Sequence, residues 1–314
     1  MAENGRREKE RGGRMGGGEP MTGTIQWFPG HMTRTRRKMQ ETMPLIDLVI
    51  ELIDARIPMS SRNPELNTLT AGKPRLVLLN KAGLADEQAT ARWVRFLTRE
   101  GVTALAVDCK SGRGLARILL AAEELLKEQR AQWNQKGMVG RPIRAMVVGI
   151  PNVGKSSFIN RFSKGGKAKA EDRPGVTRGN QWFTAEGGML LLDTPGVLWP
   201  KFESDEVGRH LAFIGAIRDR ILPTEELACD LLTVLRAEYA DCLKERYRLT
   251  ELPEESYALL EAIGRRRGML VSGGEVDTER AASMLLDEYR GGKLGLITLE
   301  FPSEKEADCD ESGI

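Results

Sequence analysis

The residues best placed to do chemistry form one stretch, Gly149-Ile150-Pro151-Asn152-Val153-Gly154-Lys155-Ser156, which matches the spacing G-x-x-x-x-G-K-[ST]. Its glycines let backbone N–H groups turn inward toward phosphate oxygens. A helix beginning where the loop ends adds the favourable pole of its dipole. In a loop of this kind the Lys155 ammonium lies between the β- and γ-phosphates, and the Ser156 hydroxyl ligates Mg²⁺. A nucleoside triphosphate is the ligand that this chemistry serves. A second stretch, Asp193-Thr194-Pro195-Gly196, puts an acid at the end of an apolar run. An acid so placed downstream of a phosphate loop positions Mg²⁺.

Those groups need a frame. Residues 143–148 read as a short buried strand, and 157–162 continue past the loop with helical apolar spacing. Residues 48–54, 75–80 and 104–107 read as further strands, each running into a polar loop. These loops are Asp54-Ala55-Arg56, Asn80-Lys81-Ala82-Gly83 and Asp108-Cys109-Lys110-Ser111-Gly112. Between them lie a helix carrying Trp93, Phe96 and Leu97 and one long helix over 115–132. Strands alternating with helices predict a doubly wound α/β fold with a parallel sheet. Residues 164–180 form a polar, glycine-rich connection holding Thr177, and 181–185 with 189–192 read as a hairpin turning at Gly187-Gly188. From Glu203 onward apolar residues recur at helical spacing over 205–219, 225–247, 253–267 and 278–290, predicting a small all-helical domain. The expected organisation is a tail over 1–21, an α/β domain over 22–202, a helical domain over 203–300 and an acidic tail over 301–314.

The chain has 314 residues, enough for two domains that each bury a core, and its 40% hydrophobic and 29% charged content is ordinary for a globular protein. A net charge of +2 excludes a global field for nucleic acid, so such affinity must come from local patches. Cys109, Cys229, Cys242 and Cys309 have no C-x-x-C spacing, which fits reduced thiols in a cytosolic protein better than disulfides or zinc. The apolar run at 45–53 is interrupted by Asp47 and Glu51, so no membrane span is expected. Residues 1–20 lack an apolar core and read as a disordered tail, not a signal peptide.

Taken in chain order, Asn80-Lys81, the loop at 108–111, the phosphate loop, Thr177 and Asp193-Thr194-Pro195-Gly196 look like the five motifs of a translation-factor-type GTPase in rotated order, G4-G5-G1-G2-G3. With Trp27-Phe28-Pro29-Gly30-His31-Met32, Asp54-Ala55-Arg56 and the helical C-terminal region, the chain resembles the circularly permuted GTPases of the ribosome biogenesis GTPase A family over residues 22–300. The resemblance implies a GTPase of late large (50S) subunit assembly that binds rRNA in the GTP state and leaves after hydrolysis. It also implies GTP/GDP, Mg²⁺ and K⁺ as cofactors, the large ribosomal subunit and its rRNA as partners, and a cytoplasmic protein that is monomeric off the ribosome.

Residue roles follow from the same resemblance. Nucleotide contacts fall to Asn80, Lys81, Cys109, Lys110, Asn152, Val153, Gly154, Lys155, Ser156, Ser157, Thr177 and Gly196. Ser156 and Thr177 ligate Mg²⁺, Asp193 orients it through water, and Gly196 donates its N–H to the γ-phosphate. Asn152 is expected either to coordinate an activating K⁺ or simply to brace the loop. Val197-Leu198 stands where other GTPases hold a water-orienting glutamine, and neither side chain can hold a water. The resemblance assigns that task to His31, whose neutral imidazole can accept from water near pH 7. His210 is assigned no role.

One departure bears on base recognition. The family writes N-K-x-D, with an aspartate that accepts from guanine, and here the fourth position is Gly83. Asp86 is placed to cap the next helix, or it swings in as the missing carboxylate. If nothing replaces it, Gly83→Asp is expected to tighten guanine binding. The basic runs at 34–38 and 265–267 read either as solvated helix faces or as contacts to rRNA phosphates. Two other functional classes remain: a metabolic P-loop kinase, which the motif order disfavours, and a nucleotide-gated RNA- or ribosome-binding protein with relaxed base specificity and negligible turnover.

Overall fold

The computed structural model describes residues 31–70, 72–163, 181–217 and 223–302, with side chains from residue 35 onward. The N-terminal tail, Trp27 to Gly30, the connection with Thr177 and most of the acidic tail lie outside the described residues, as does the His31 side chain. Helix α1 (His31–Thr42) leads to strand β1 (Leu48–Asp54), short helix α2 (Leu66–Leu69), β2 (Arg75–Asn80), α3 (Glu87–Arg99) and β3 (Thr103–Ala106). Then come α4 (Ala116–Leu125), α5 (Lys127–Gln135), β4 (Arg144–Gly149), α6 (Lys155–Phe162), β5 (Trp182–Thr184) and β6 (Leu190–Asp193). The remainder is helical: α7 (Asp205–Phe213), α8 (Thr224–Glu238), α9 (Ala240–Tyr247), α10 (Ser256–Arg266) and α11 (Thr278–Arg290).

The six strands form one sheet in the order β3-β2-β1-β4-β6-β5, parallel except where β5 pairs antiparallel with β6. Strand β1 lies in the middle, and all seven of its residues are buried. Its alternating side chains serve two apolar layers, because successive residues of a strand point to opposite faces. Leu48, Ile50 and Leu52 join α4 and α6 through Ile118, Ala122 and Phe158. Val49 packs with Met39 of α1, Met43 just after it and Leu66 of α2. Mid-strand, Glu51 is buried and bridged to Arg75 at 3.3 Å and Arg62 at 3.5 Å. The chain runs outward from β1 to β3 and then returns to the other side of β1 as β4. The order reverses between β1 and β4, and ligands of open α/β sheets bind outside the strand ends at such a point.

Two expected helices are divided. The long helix over 115–132 breaks at Leu126, whose φ of −105° and ψ of 12° leave the helical range. Leu126 is buried with Ile118 and Ala122, whereas α5 buries no residue, so the break lets the apolar stripe stay on the core while α5 leaves it. The run over 225–247 breaks at Tyr239, where φ is −135°. Its hydroxyl donates to the Thr298 carbonyl at 2.7 Å and accepts from the Thr298 N–H at 3.1 Å, a long-range anchor invisible to periodicity. The apolar cluster of the α4/α6 face continues without a gap into α7, α8, α10 and α11 through Leu211, Leu231, Ile263 and Leu285. Residues 294–300 return to the α/β part: Ile297 N–H donates to Leu84 at 3.1 Å and Leu299 N–H to Arg56 at 2.8 Å. No helix among the described residues is long and apolar enough to cross a membrane.

Candidate nucleotide site

The loops at 54–56, 80–83, 108–112, 149–156 and 193–196 emerge from the C-terminal ends of strands, and parallel pairing sets those ends side by side. Asp54 pairs with Asn80, Leu52 with Gly149, and Val147 with Asp193. The phosphate loop leaves β4 and delivers Lys155 as the first residue of α6. Gly154 has a φ of 101°, and a Cβ there would come within 2.5 Å of the Asn80 amide nitrogen. Glycine is therefore required both for the turn and for the approach of the second loop. Asn152 and Lys81 take φ values of 59° and 60°, uncommon for residues with side chains. Such conformations cost free energy and collect at functional sites.

The two loops are locked together. Asn80 Nδ2 donates to the Val153 carbonyl at 2.8 Å, and Asn80 Oδ1 accepts from the Cys109 N–H at 3.2 Å. Lys81 Nζ donates to the Asn152 carbonyl at 2.7 Å and bridges Asp54 at 3.0 Å. Two cavities open on either side of this lock. One, of about 690 Å³, is lined by Asn152, Lys155, Ser156, Asp193, Gly196 and Lys38 among others. The other, of about 560 Å³, is lined by Asn80, Lys81, Asp108, Lys110, Ser157 and Arg290 among others. Gly154 borders both.

In the first cavity Lys155 is buried, and its ammonium donates to the carbonyls of Gly149 at 3.0 Å and Ile150 at 2.8 Å. Burial pulls this group down to about 8, against the opposing pull of the Asp193 carboxylate. Burial likewise raises Asp193, opposed by Lys155 and by a bond from the Thr194 N–H. The Ser156 hydroxyl and the Asp193 carboxylate are hard oxygen donors on one cavity wall, a set that suits Mg²⁺ beside phosphate oxygens. Gly196 lies against the loop, where a Cβ would stand 2.8 Å from the Pro151 nitrogen. Asn152 Nδ2 donates to the Gly215 carbonyl. Val197 and Leu198 are buried in the core, so the position after Gly196 presents no polar side chain.

Cys109, which lines the second cavity, and Val153, which does not, both take part through their backbones, each bonded to Asn80. The Val153 side chain is fully buried, and burial together with the neighbouring Asp108 pushes the Cys109 thiol up to about 12. Asp86 caps α3, accepting from the Ala89 N–H at 2.6 Å, so its carboxylate is not turned into the cavity. Of the expected basic contacts, Arg36 pairs with Glu65 and Arg37 with Glu41, while Arg267 bridges Glu288 at 3.3 Å. Sequence reasoning passed over Asp54 and Arg56 as site residues. They form a buried ion pair at 2.9 Å, and Arg56 Nη1 reaches the Tyr289 carbonyl at 3.3 Å. Burial would raise the Asp54 carboxyl, but the charges of Arg56 and Lys81 outweigh it and hold the group well below the usual carboxylate range. The signal was available in the acid that ends β1 two residues before an arginine.

A family described as 50S ribosome-binding GTPase matches residues 144–257. Ribosome biogenesis GTPase A of Priestia megaterium is 49% identical, covering 90% of this chain and 99% of that protein. Mitochondrial ribosome-associated GTPase 1 of Bos taurus is 33% identical, covering 91% and 92% respectively. Among solved structures, GNP-bound YlqF from T. maritima matches with a TM-score of 0.59 at 25% identity, covering 86% of this chain and 99% of that one. Each of these proteins is matched over nine-tenths or more of its own length. The chain therefore belongs to the ribosome biogenesis GTPase A family.

Proposed function

We propose that this chain hydrolyses GTP as an assembly factor of the large ribosomal subunit, holding rRNA in the GTP state and leaving after hydrolysis. The observation that carries the reading is the lock between Asn80-Lys81 and the phosphate loop, which sets a base cavity beside a phosphate cavity. A nucleotide laid across Gly154 has its phosphates against Lys155 and the first turn of α6, and its base against Asn80, Lys81 and the loop of Cys109 and Lys110. Ser156, Thr177 and Asp193 would hold Mg²⁺, which neutralises charge on the β- and γ-phosphate oxygens. The Lys155 ammonium stays protonated against phosphate and stabilises charge as it develops on the leaving group. Gly196 N–H binds a γ-oxygen, and Ser157 extends the set of donors at the start of α6.

With Val197 and Leu198 turned into the core, the attacking water is oriented by His31, supplied from α1 when the large subunit docks. Asn152 Oδ1 would coordinate K⁺ beside the phosphates, adding charge where other systems use an arginine. The protein works in the cytoplasm and is monomeric off the ribosome, with its helical domain beginning near residue 203. A nucleotide-gated binder with negligible turnover is the disfavoured reading. Phosphate release measured with and without large ribosomal subunits, in K⁺ and in Na⁺, separates the two. Turnover should be slow alone, rise strongly with subunits and be faster in K⁺. Asn152→Ala should abolish the K⁺ preference, and His31→Ala should lower the stimulated rate at unchanged GTP affinity. No stimulation by subunits in either salt counts against the proposal.

A further inference from the structure

Position 83 carries no side chain, yet a carboxylate stands where that side chain would be. A Cβ built on Gly83 would meet Asp108 Oδ2 at 2.4 Å and its Cγ at 3.4 Å. Asp108 comes from a different loop, the one that follows β3. Its Oδ1 accepts from the Lys110 N–H at 2.8 Å, which fixes how the carboxyl group is turned. Oδ2 is paired with no donor among the described residues. Asp108 is also the only acidic residue among those lining the base-side cavity of about 560 Å³. The neighbouring acids are committed elsewhere: Asp86 caps α3, and Asp54 is enclosed by Arg56 and Lys81.

We infer that Asp108 is the residue that reads guanine, its carboxylate taking over from the loop after β3 the task that the loop after β2 has lost. The inference rests on the guanine-nucleotide reading of the site. An ionised carboxylate can only accept hydrogen bonds. Guanine presents two donors on one edge, the ring N1–H and the exocyclic N2–H, and charge-assisted bonds to both are strong. Adenine presents a ring nitrogen lone pair there, so the same carboxylate repels it. Glycine at 83 then has a positive reason: any side chain would displace the Asp108 carboxyl. A second carboxylate at 83 would lie against the first and repel it. Gly83→Asp should therefore weaken guanine binding, the reverse of what the motif comparison alone predicts.

Isothermal titration of wild type, Asp108→Asn and Gly83→Ala with GDP, ADP and XDP tests this. Wild type should favour GDP over ADP. Asp108→Asn should lose roughly tenfold to several hundredfold in GDP affinity. It should also gain affinity for XDP, because xanthine replaces the 2-amino donor with a carbonyl that the Asn amide can serve. Gly83→Ala, which removes no polar group, should weaken GDP binding and leave ADP unchanged. Unchanged GDP affinity in Asp108→Asn overturns the assignment. So does an equal loss for GDP, ADP and XDP, which would mean that Asp108 only shapes its loop. A wild type that binds GDP and ADP alike fails at an earlier step, overturning the guanine reading before any variant is compared.

Discussion

Asp54 shows how a buried charge can brace a site without touching its ligand. Its carboxylate holds Arg56 at 2.9 Å and Lys81 at 3.0 Å, so the lysine of the base loop is aimed by a group one strand away. Arg56 is buried and also lies over the Tyr289 ring, 5.1 Å from its centroid. Removing one partner of such a pair strands the other charge in a low-dielectric interior. Arg56→Ala should therefore lower the unfolding free energy by about 3–5 kcal/mol in urea denaturation at pH 7. Because the folded Asp54 carboxyl sits below its unfolded value, its contribution is complete above that unfolded value and is lost as pH falls toward the folded one. The gap between wild type and variant should accordingly narrow as pH drops below about 4. A gap that stays constant down to pH 3 would show that the lost stability is packing, not charge.

Two helix ends converge on the phosphate loop from the other part of the chain. Arg290, at the end of α11, donates through Nε to the Phe213 carbonyl and through Nη2 to the Ala212 carbonyl, both at 2.9 Å. These carbonyls close α7, and two residues on, the Gly215 carbonyl accepts from Asn152. The segment from Asp193 to α7 is tied down by buried Val197, Leu198, Trp199 and Phe202. A change at the γ-phosphate thus has a short packed route to α7 and α11 as well as a covalent one. Hydrogen exchange in α7 and α11 should differ between the GDP form and the form with a non-hydrolysable GTP analogue. Identical protection in both helices would remove this coupling.

Across the whole surface the net charge of +2 hides a local concentration. Arg248, Arg266 and Lys293 are exposed around a recess of about 690 Å³ in the helical region. Arg246 and Arg267 line the same recess but are held by Glu288, so they serve packing more than binding. If this recess takes an rRNA phosphate, Arg266→Ala should reduce the slope of log affinity against log salt for large subunits by about one. A slope unchanged from wild type would move the contact elsewhere.

Contiguous features were legible in the sequence because their physics is local. The phosphate loop needs only its own glycines, lysine and serine between a strand and a helix, and all lie within residues 144–162. The parallel sheet followed from alternating elements, and Asp86 as a helix cap from a three-residue reach. What the sequence could not determine is which loops meet. Asn80 reaches Val153 because β2 and β4 flank the same strand, and Tyr239 breaks its helix because Thr298 waits beside it. Gly83 read alone is a lost carboxylate, and only β2–β3 pairing brings Asp108 into its place. Spacing along a chain reports what neighbours can do, whereas contacts made across strand ends depend on sheet order, which tertiary packing decides.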